Sequence, residues 1–230
     1  MRMRLAIVLL ASLLAHGAAA EGDRGDVLYR MTLLRAAPGR LLELIEEVKS
    51  AAPAKAGLGT PLVLRHSQGD QWDLMVLAPI GSYAAHFGTS SPARPATSLV
   101  AWQEDTFVRG PDVSMSEGFA AGRVYHVEMF HALADKRAEL VKEREMENAY
   151  LRALGRPVNA IFTRELGGSW DAFTIGAYRS WRHFAEREDI PPEKSAAAAR
   201  GAGFEGDDRI GPYLRSLIQS HHDTLATPVR

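Results

Sequence analysis

The sequence predicts an α+β fold in which two similar halves close one antiparallel β-barrel, and two observations support this prediction. The first is an internal repeat of about 100 residues, in which Tyr29 aligns with Tyr125 and Trp72 with Trp170. The second is that each half gives the order strand, helix, strand, strand, helix, strand. The repeat indicates the architecture, but it does not name a reaction.

The repeat extends beyond those aromatic residues. An aspartate follows each of these two tryptophans, and acidic and apolar residues recur in the first helix of each half. An Asp-Thr pair stands near the end of each half. Such matching of separate blocks is typical of a duplicated unit. The further aligned pairs are Asp73 and Asp171, Glu43 and Glu139, Leu44 and Leu140, Glu47 and Glu143, and Asp105 and Asp223.

The first half, residues 27–108, begins with alternating apolar and polar residues over 27–34, which indicate a strand. Pro38 and Gly39 interrupt this pattern. The helix that follows is amphipathic and is expected to cover a sheet. Its apolar face carries Leu41, Leu44, Ile45 and Val48.

The rest of the first half predicts a hairpin and a second helix. Residues 62–66 and 72–77 form the hairpin, and Ser82 is the predicted cap of the helix. We expect residues 99–104 to be helical and residues 106–108 to form the closing strand.

Glycine-rich residues 109–122 are the predicted linker, and residues 123–229 are the second half. Its first strand leads into a longer helix, which Asp135 is expected to cap and Gly155 to end. A hairpin over residues 159–175 follows.

Two further segments complete the second half. Residues 189–208 have no counterpart in the first half, and their alanine run predicts an inserted helix. Residues 210–222 are predicted to form the last helix. That helix would carry His221 and His222 directly before Asp223.

The N-terminal residues 1–20 have the layout of a cleaved secretory signal. Arg2 and Arg4 precede a short apolar run, and small residues precede the polar stretch that begins at Glu21. We therefore expect a periplasmic or secreted protein. The run is too short to span a bilayer, so no membrane insertion is expected after signal removal.

Composition excludes several classes of function. The chain has no cysteine, which excludes disulfides and a thiol nucleophile. Its charges are mixed, with a net charge of −1 that becomes −3 without the two arginines of the predicted signal. A protein of this charge pattern is not expected to bind nucleic acid. It has neither a nucleophile elbow nor a phosphate-binding glycine loop.

The order of elements in each half is the split βαβ order of a ferredoxin-like unit. Two such units in one chain resemble the dimeric α+β barrel superfamily, which includes antibiotic-biosynthesis-monooxygenase-like and NIPSNAP-like domains. The resemblance implies that one chain imitates the usual dimer, so a monomer is sufficient and a homo-oligomer would form through helix faces. It also implies haem as a candidate cofactor, although no motif selects a haem ligand.

Strand alternation suggests where a site would lie. Tyr29 and Tyr125 belong to the more apolar faces of the first strands, which we expect beneath the helices. The opposite faces are expected to converge in the barrel lumen as a ligand-binding site. Its predicted residues are Arg30, Thr32, His126, Glu128 and Phe130. The alternative is that these side chains form ordinary ion pairs between the halves.

Several other histidines and tryptophans are not assigned to the site. His221 and His222 would diverge as neighbours on a helix, so no metal site is predicted there. His86, His183, Trp72 and Trp170 are interpreted as packing residues of helices and hairpins.

Two classes of function remain open. One is a protein that binds a small, largely apolar molecule in the barrel lumen. The alternative is a monooxygenase-like or haem-dependent enzyme that uses the same cavity, and the sequence does not decide between them.

Overall fold

Eight strands and seven α-helices make up the described parts of the chain, residues 26–51, 58–88 and 95–229, in a computed structural model. The predicted signal peptide lies outside these residues. The strands are β1 (Val27–Ala36), β2 (Leu62–Gln68), β3 (Leu74–Pro79), β4 (Val100–Gly110), β5 (Val124–Ala132), β6 (Ala160–Gly167), β7 (Ala172–Tyr178) and β8 (Ile218–Pro228).

The helices are α1 (Leu41–Ala51), α2 (Tyr83–Gly88), α3 (Glu117–Ala120), α4 (Arg137–Ala153), α5 (Trp181–Ala185), α6 (Pro192–Gly201) and α7 (Ile210–Leu217). The inserted helix predicted within residues 189–208 is α6. Among the described residues, no helix has the length and apolar character needed to cross a membrane.

The strands close one antiparallel barrel in the order β1-β3-β2-β8-β5-β7-β6-β4. Each half contributes four neighbouring strands, and the pairs β2–β8 and β4–β6 join the halves. The predicted α+β fold, with two ferredoxin-like halves in one barrel, is therefore confirmed.

The duplication is visible in the hydrogen bonds as well as in the sequence. The backbone N–H of Ala36 donates to Oδ2 of Asp73 over 2.8 Å, and that of Ala132 donates to Oδ2 of Asp171 over 2.9 Å. In each half the aspartate thus ties the start of the hairpin's second strand to the end of the first strand. This contact explains why an Asp follows both Trp72 and Trp170.

The barrel interior is packed with side chains, and this corrects the predicted assignment of faces. Tyr29, Met31, Tyr125 and Val127 belong to one interior cluster that contains residues of both halves. The alternate residues point outward beneath the helices, where Phe130 packs against α4 and α7. Both faces of these strands are covered, so alternation separates two faces without saying which one is inside.

Residues 100–104 and 218–222, predicted to be helical, are strands, whereas α7 confirms the first part of the predicted last helix. β4 begins at Val100, and Gln103 and Glu104 pair with Leu34 and Leu33 of β1. β8 begins at Ile218 and pairs with β5 through His221 and His222. In both cases long-range pairing decides the local conformation.

The start of α4 also differs from the prediction. Asp135 has φ 61° in a turn, and Lys136 stands at the cap position without a side-chain cap bond. A left-handed Asp is tolerated in a turn because its short side chain bonds locally. Gly155, with φ 72°, follows the end of α4 as expected.

The segment between β4 and β5 closes one end of the barrel. The Tyr29 hydroxyl donates to the carbonyl of Pro111 over 3.0 Å and accepts from the backbone N–H of Val113. The Tyr125 hydroxyl donates to the carbonyl of Phe119 over 2.5 Å. Val113 is buried in the interior cluster, so this segment is part of the core.

Candidate functional site

A pocket of about 310 Å³ lies on the outer face of the second half, between β5, β7 and the helices that cover them. Its floor comes from the strands, and α4, α5 and α6 each contribute to its walls. The lining residues are His126, Glu128, Glu147, Tyr150, Leu151, Leu154, Arg156, Asn159, Tyr178, Phe184, Arg187, Ile190 and Ser195.

His126 and Glu128 point into this pocket, rather than into the barrel lumen as predicted. They stand two residues apart on β5, so their side chains share one face. That face turns outward because Val127, between them, belongs to the interior cluster.

The other three predicted residues do not converge with this pair. Thr32 donates its hydroxyl to Oδ1 of Asp105 over 2.6 Å, and Nε of Arg30 lies 4.0 Å from the same oxygen. Both lie on the outer face of the first half. Phe130 shares the outer face of β5 with the pair but packs beneath α4 and does not line the pocket.

A row of polar side chains crosses three strands beside the pocket. Glu128 stands opposite Asp223 on β8 and opposite Thr174 on β7. Thr174 donates its hydroxyl to Oε2 of Glu128 over 3.0 Å. Nε2 of His126 lies 3.3 Å from Oδ1 of Asp223.

Arg144 of α4 binds the carboxylates above this row. Its Nε lies 2.6 Å from Glu143, its Nη1 lies 2.6 Å from Glu147, and Nη1 is 3.7 Å from Oε2 of Glu128. Arg144 and Glu143 are almost fully buried, and the guanidinium stands over the Phe130 ring. Such a buried ion cluster needs every partner, since each charge has lost its contact with water.

Protonation in this cluster is shifted by burial and by neighbouring charges. Burial raises the pKa of Glu147 to about 7, and nearby Glu128 and Glu143 add to this effect against the opposing Arg144. Burial alone would lower the pKa of His126, but the hydrogen bond to Asp223 and the charge of Glu128 outweigh it and raise that pKa.

Asn159 places an unpaired acceptor in the pocket. Its backbone N–H and carbonyl both bond to the side chain of Asn148, at 2.8 Å. Its own side-chain Oδ1 is buried and has no hydrogen-bond partner among the described residues. Buried polar atoms are rarely unpaired, so this atom points to a missing partner.

Gly176 of β7 leaves room for the side chain of Asn159. It stands opposite His126, and a Cβ atom there would lie 2.6 Å from Oδ1 of Asn159. The corresponding position of the first half is Ala78, opposite Arg30. The glycine therefore allows the Asn159 side chain to lie close to β7, and an alanine there would displace it.

Sequence reasoning missed Arg144, Glu147, Asn159 and Asp223 as site residues. Glu143, Arg144 and Glu147 have helical spacing, which is usual for an exposed charged face as well as for a polar site. The informative signal was Arg144, because its counterpart in the repeat is the apolar Val48. An arginine at a position that faces the sheet requires buried partners.

The residues of the pocket do not fit the haem implied by the resemblance. Its volume of about 310 Å³ is smaller than a haem with its substituents. Nε2 of His126 faces Asp223 instead of the pocket centre.

No protein family and no curated protein matches the sequence. Solved structures do match the fold. An anthrone oxidase-like protein has a TM-score of 0.63 at 10% identity and covers 89% of this chain and 92% of its own. A proposed monooxygenase from Lactobacillus acidophilus NCFM has a TM-score of 0.56 at 9% identity, with coverages of 90% and 95%.

A third structure, a proposed chlorite dismutase, has a TM-score of 0.50 at 11% identity and coverages of 90% and 96%. At such identities the likeness shows the fold alone. The coverages show that this fold extends over nearly the whole length of these chains.

Proposed function

We propose that this chain, which has the dimeric α+β barrel fold as a tandem repeat, binds a small, largely apolar molecule that carries a hydrogen-bond donor. The proposed site is the pocket under α4, outside the barrel. The observation that carries the proposal is the buried, unpaired Oδ1 of Asn159 in the pocket wall. A hydroxyl or amino group of a ligand would supply the missing donor.

The apolar part of the pocket wall indicates the chemical character of the rest of the ligand. Leu151, Leu154, Ile190 and Phe184 offer apolar surface, and Tyr178 adds an aromatic ring. A volume of about 310 Å³ lies at the lower end of the range for small-molecule sites. These features favour a molecule of about two or three fused rings with one hydroxyl group, such as a naphthol.

The second candidate is an enzyme of the monooxygenase-like kind that uses the same pocket. It is favoured by the carboxylate of Glu147, which lines the pocket and would accept a proton from the bound hydroxyl. The structures described as anthrone oxidase-like and as a proposed monooxygenase support this class through their shared fold.

Export from the cytoplasm is a separate part of the proposal. It rests on the signal-like composition of residues 1–20. Mass spectrometry of the native protein tests it: a mature chain that begins near Glu21 is expected, and a cytoplasmic chain that retains Met1 would contradict it.

Binding is tested by titrating the purified chain with 1-naphthol and 2-naphthol and following intrinsic tryptophan fluorescence and calorimetric heat. Gly176→Ala is expected to weaken binding at least about tenfold because its Cβ would clash with Oδ1 of Asn159 and displace the acceptor. Asn159→Leu, which removes the acceptor, is expected to act in the same direction.

Ala78→Gly, at the matching position of the first half, is the control and is expected to leave the affinity unchanged. Equal affinities of the wild type and Gly176→Ala would place the ligand elsewhere. For the enzyme candidate, oxygen consumption with the same phenols is measured. Uptake that Glu147→Gln abolishes is expected, whereas uptake that survives this change would exclude Glu147 as the base.

A further inference from the structure

The last part of the predicted helix, residues 218–222, belongs to β8, and this changes the directions in which His221, His222 and Asp223 point. Neighbours on a strand point to opposite faces, so Asp223 shares the outer face with His221, and His222 points the other way. His222 pairs instead with Asp70, at 3.0 Å. His221 and His222 therefore do not share one ion, but the strand brings Asp223 beside β5.

Asp223 meets two residues of β5 on that outer face. Glu128 is its direct neighbour across the strands, and His126 lies two residues away on the same strand as Glu128. Their potential ligand atoms, one from each side chain, all lie within 4.8 Å of one another. We propose that His126, Glu128 and Asp223 bind one divalent transition-metal ion at the edge of the pocket.

The distances also suit ligands of a common ion. Nε2 of His126 is 3.3 Å from Asp223, which exceeds the usual length of a charge-assisted hydrogen bond. Two ligands about 2.1 Å from a tetrahedral ion are about 3.4 Å apart. A metal between them would thus require little movement of either side chain.

The surrounding residues orient the proposed ligands. Thr174 and Arg144 both approach Oε2 of Glu128, at 3.0 Å and 3.7 Å, and so hold that carboxylate in place. Oδ2 of Asp223 lies 3.3 Å from Nε2 of His221. Supporting contacts of this kind are usual around metal ligands.

Several carboxylates lie around the proposed ion site. Glu128, Glu143 and Glu147 share Arg144 as their ion-pair partner, and Asp223 adds a fourth carboxylate. Beyond Asp223, Nη1 of Arg215 lies 3.0 Å from Nδ1 of His221. Arg156 and Arg187 line the same pocket, so the attraction for a dication comes from the two carboxylates that would bind it, Glu128 and Asp223.

The donor set selects the class of ion. One imidazole nitrogen with two carboxylates suits Zn²⁺, Co²⁺ or Mn²⁺, whereas Mg²⁺ and Ca²⁺ prefer oxygen alone. Three protein ligands would leave coordination positions for water or for the small molecule of the adjoining pocket. The inference goes beyond the proposed function, since the ion would bind without that molecule.

The test uses the untagged chain, freed of metal with a chelator and titrated by calorimetry with Zn²⁺, Co²⁺ and Mg²⁺. We expect one equivalent of Zn²⁺ and of Co²⁺ to bind, with Mg²⁺ much weaker, and we expect visible absorption from the bound Co²⁺. His126→Ala, Glu128→Gln and Asp223→Asn are each expected to weaken Zn²⁺ binding by on the order of tenfold or more.

His222→Gln is the matched control, because it removes a neighbouring histidine from the opposite face of the same strand. It should leave Zn²⁺ affinity unchanged. Circular dichroism checks the fold of each variant, and the Gln and Asn substitutions keep the side-chain shape. The proposal is overturned if the wild type shows no saturable Zn²⁺ binding, or if His222→Gln weakens it as much as Asp223→Asn.

The naphthol titrations are repeated in the presence of chelator. Naphthol binding without metal, together with absent Zn²⁺ binding, would refute the metal site and leave the proposed function standing. Zn²⁺ binding without naphthol binding would do the reverse.

Discussion

The two halves of the barrel have the same strands, the same register and different outer faces. In the first half, Leu28, Ile80 and Phe107 fill the space under α2, and Thr32 and Arg30 are held by Asp105. In the second half the matching face carries His126 and Glu128 beside an open pocket. Its covering helix α4 has 17 residues, against 11 in α1.

This difference teaches that the barrel and its outer face are separate layers. The interior cluster needs both halves and is apolar in each, so it stabilises the fold without regard to function. The outer face is closed by each half's own helices. One half can therefore keep a packed face while the other carries buried charge, because only the second half meets the desolvation cost of that charge.

The largest expected effect tests the shared layer. Trp72 and Trp170 are both buried in the interior cluster, at 1% and 7% exposure. Trp72→Ala and Trp170→Ala should each lower the free energy of unfolding by about 3–5 kcal/mol, measured by urea denaturation. A loss in only one half would break the comparison, since it would show that the two hairpins do not contribute equally.

The next effect separates the halves. Arg144→Ala leaves Glu143, Glu147 and Glu128 without their shared cation and should cost about 3 kcal/mol, the lower end for a buried pair. The low value is expected because Glu147, with a pKa of about 7, can take up a proton instead. Val48→Ala, the counterpart in α1, should cost about 1–2 kcal/mol from lost packing alone. Equal losses in urea denaturation would contradict the ionic role of Arg144.

An exchange of residues sharpens the comparison further. The triple variant His126→Arg, Glu128→Thr, Gly176→Ala gives the second half the residues of the first. We expect it to fold and to lose naphthol and Zn²⁺ binding, with affinities at least about tenfold weaker. The reverse exchange, Arg30→His with Thr32→Glu, should create no binding, because Phe107 and Ile80 occupy the corresponding space. Binding by the reverse variant would show that side-chain identity alone makes the site.

The smallest effect concerns acid stability. Burial alone would raise the pKa of Asp171, but hydrogen bonds from Arg164 and from the backbone N–H of Ala132 lower it. Its ionised form therefore stabilises the native state above the ordinary Asp pKa, and this stabilisation is lost as pH falls through the lowered pKa. Asp171→Asn should remove that part of the acid dependence in denaturation measured from pH 5 downwards. An unchanged slope would show that the carboxylate does not contribute.

The sequence was sufficient for the barrel but not for its faces. The repeat, the Asp after each Trp and the alternation over β1 and β5 are local signals, and the structure confirms the fold that they predicted. Inside and outside could not be separated, because helices cover the outer face as completely as the opposite half covers the inner one.

The site was predicted only in part for related reasons. His126 and Glu128 were predicted because strand alternation places them on one face of β5, although that face is the outer one. Asp223 was missed because the last helix was predicted to extend to His222, whereas residues 218–222 are already strand through pairing with β5. Asn159 gives no sequence signal at all, since its unpaired oxygen is visible only when its surroundings are known.

The segment between β4 and β5 breaks the pseudo-twofold symmetry at the end of the barrel where β1 and β5 begin. A barrel of two identical chains repeats every feature about its axis, so each tyrosine would need its own copy of such a segment. Here one segment serves both, since Pro111 and Val113 bind the Tyr29 hydroxyl and Phe119 binds that of Tyr125. The fusion therefore breaks the twofold symmetry at this end of the barrel, and a partner that bound this end could do so in only one orientation.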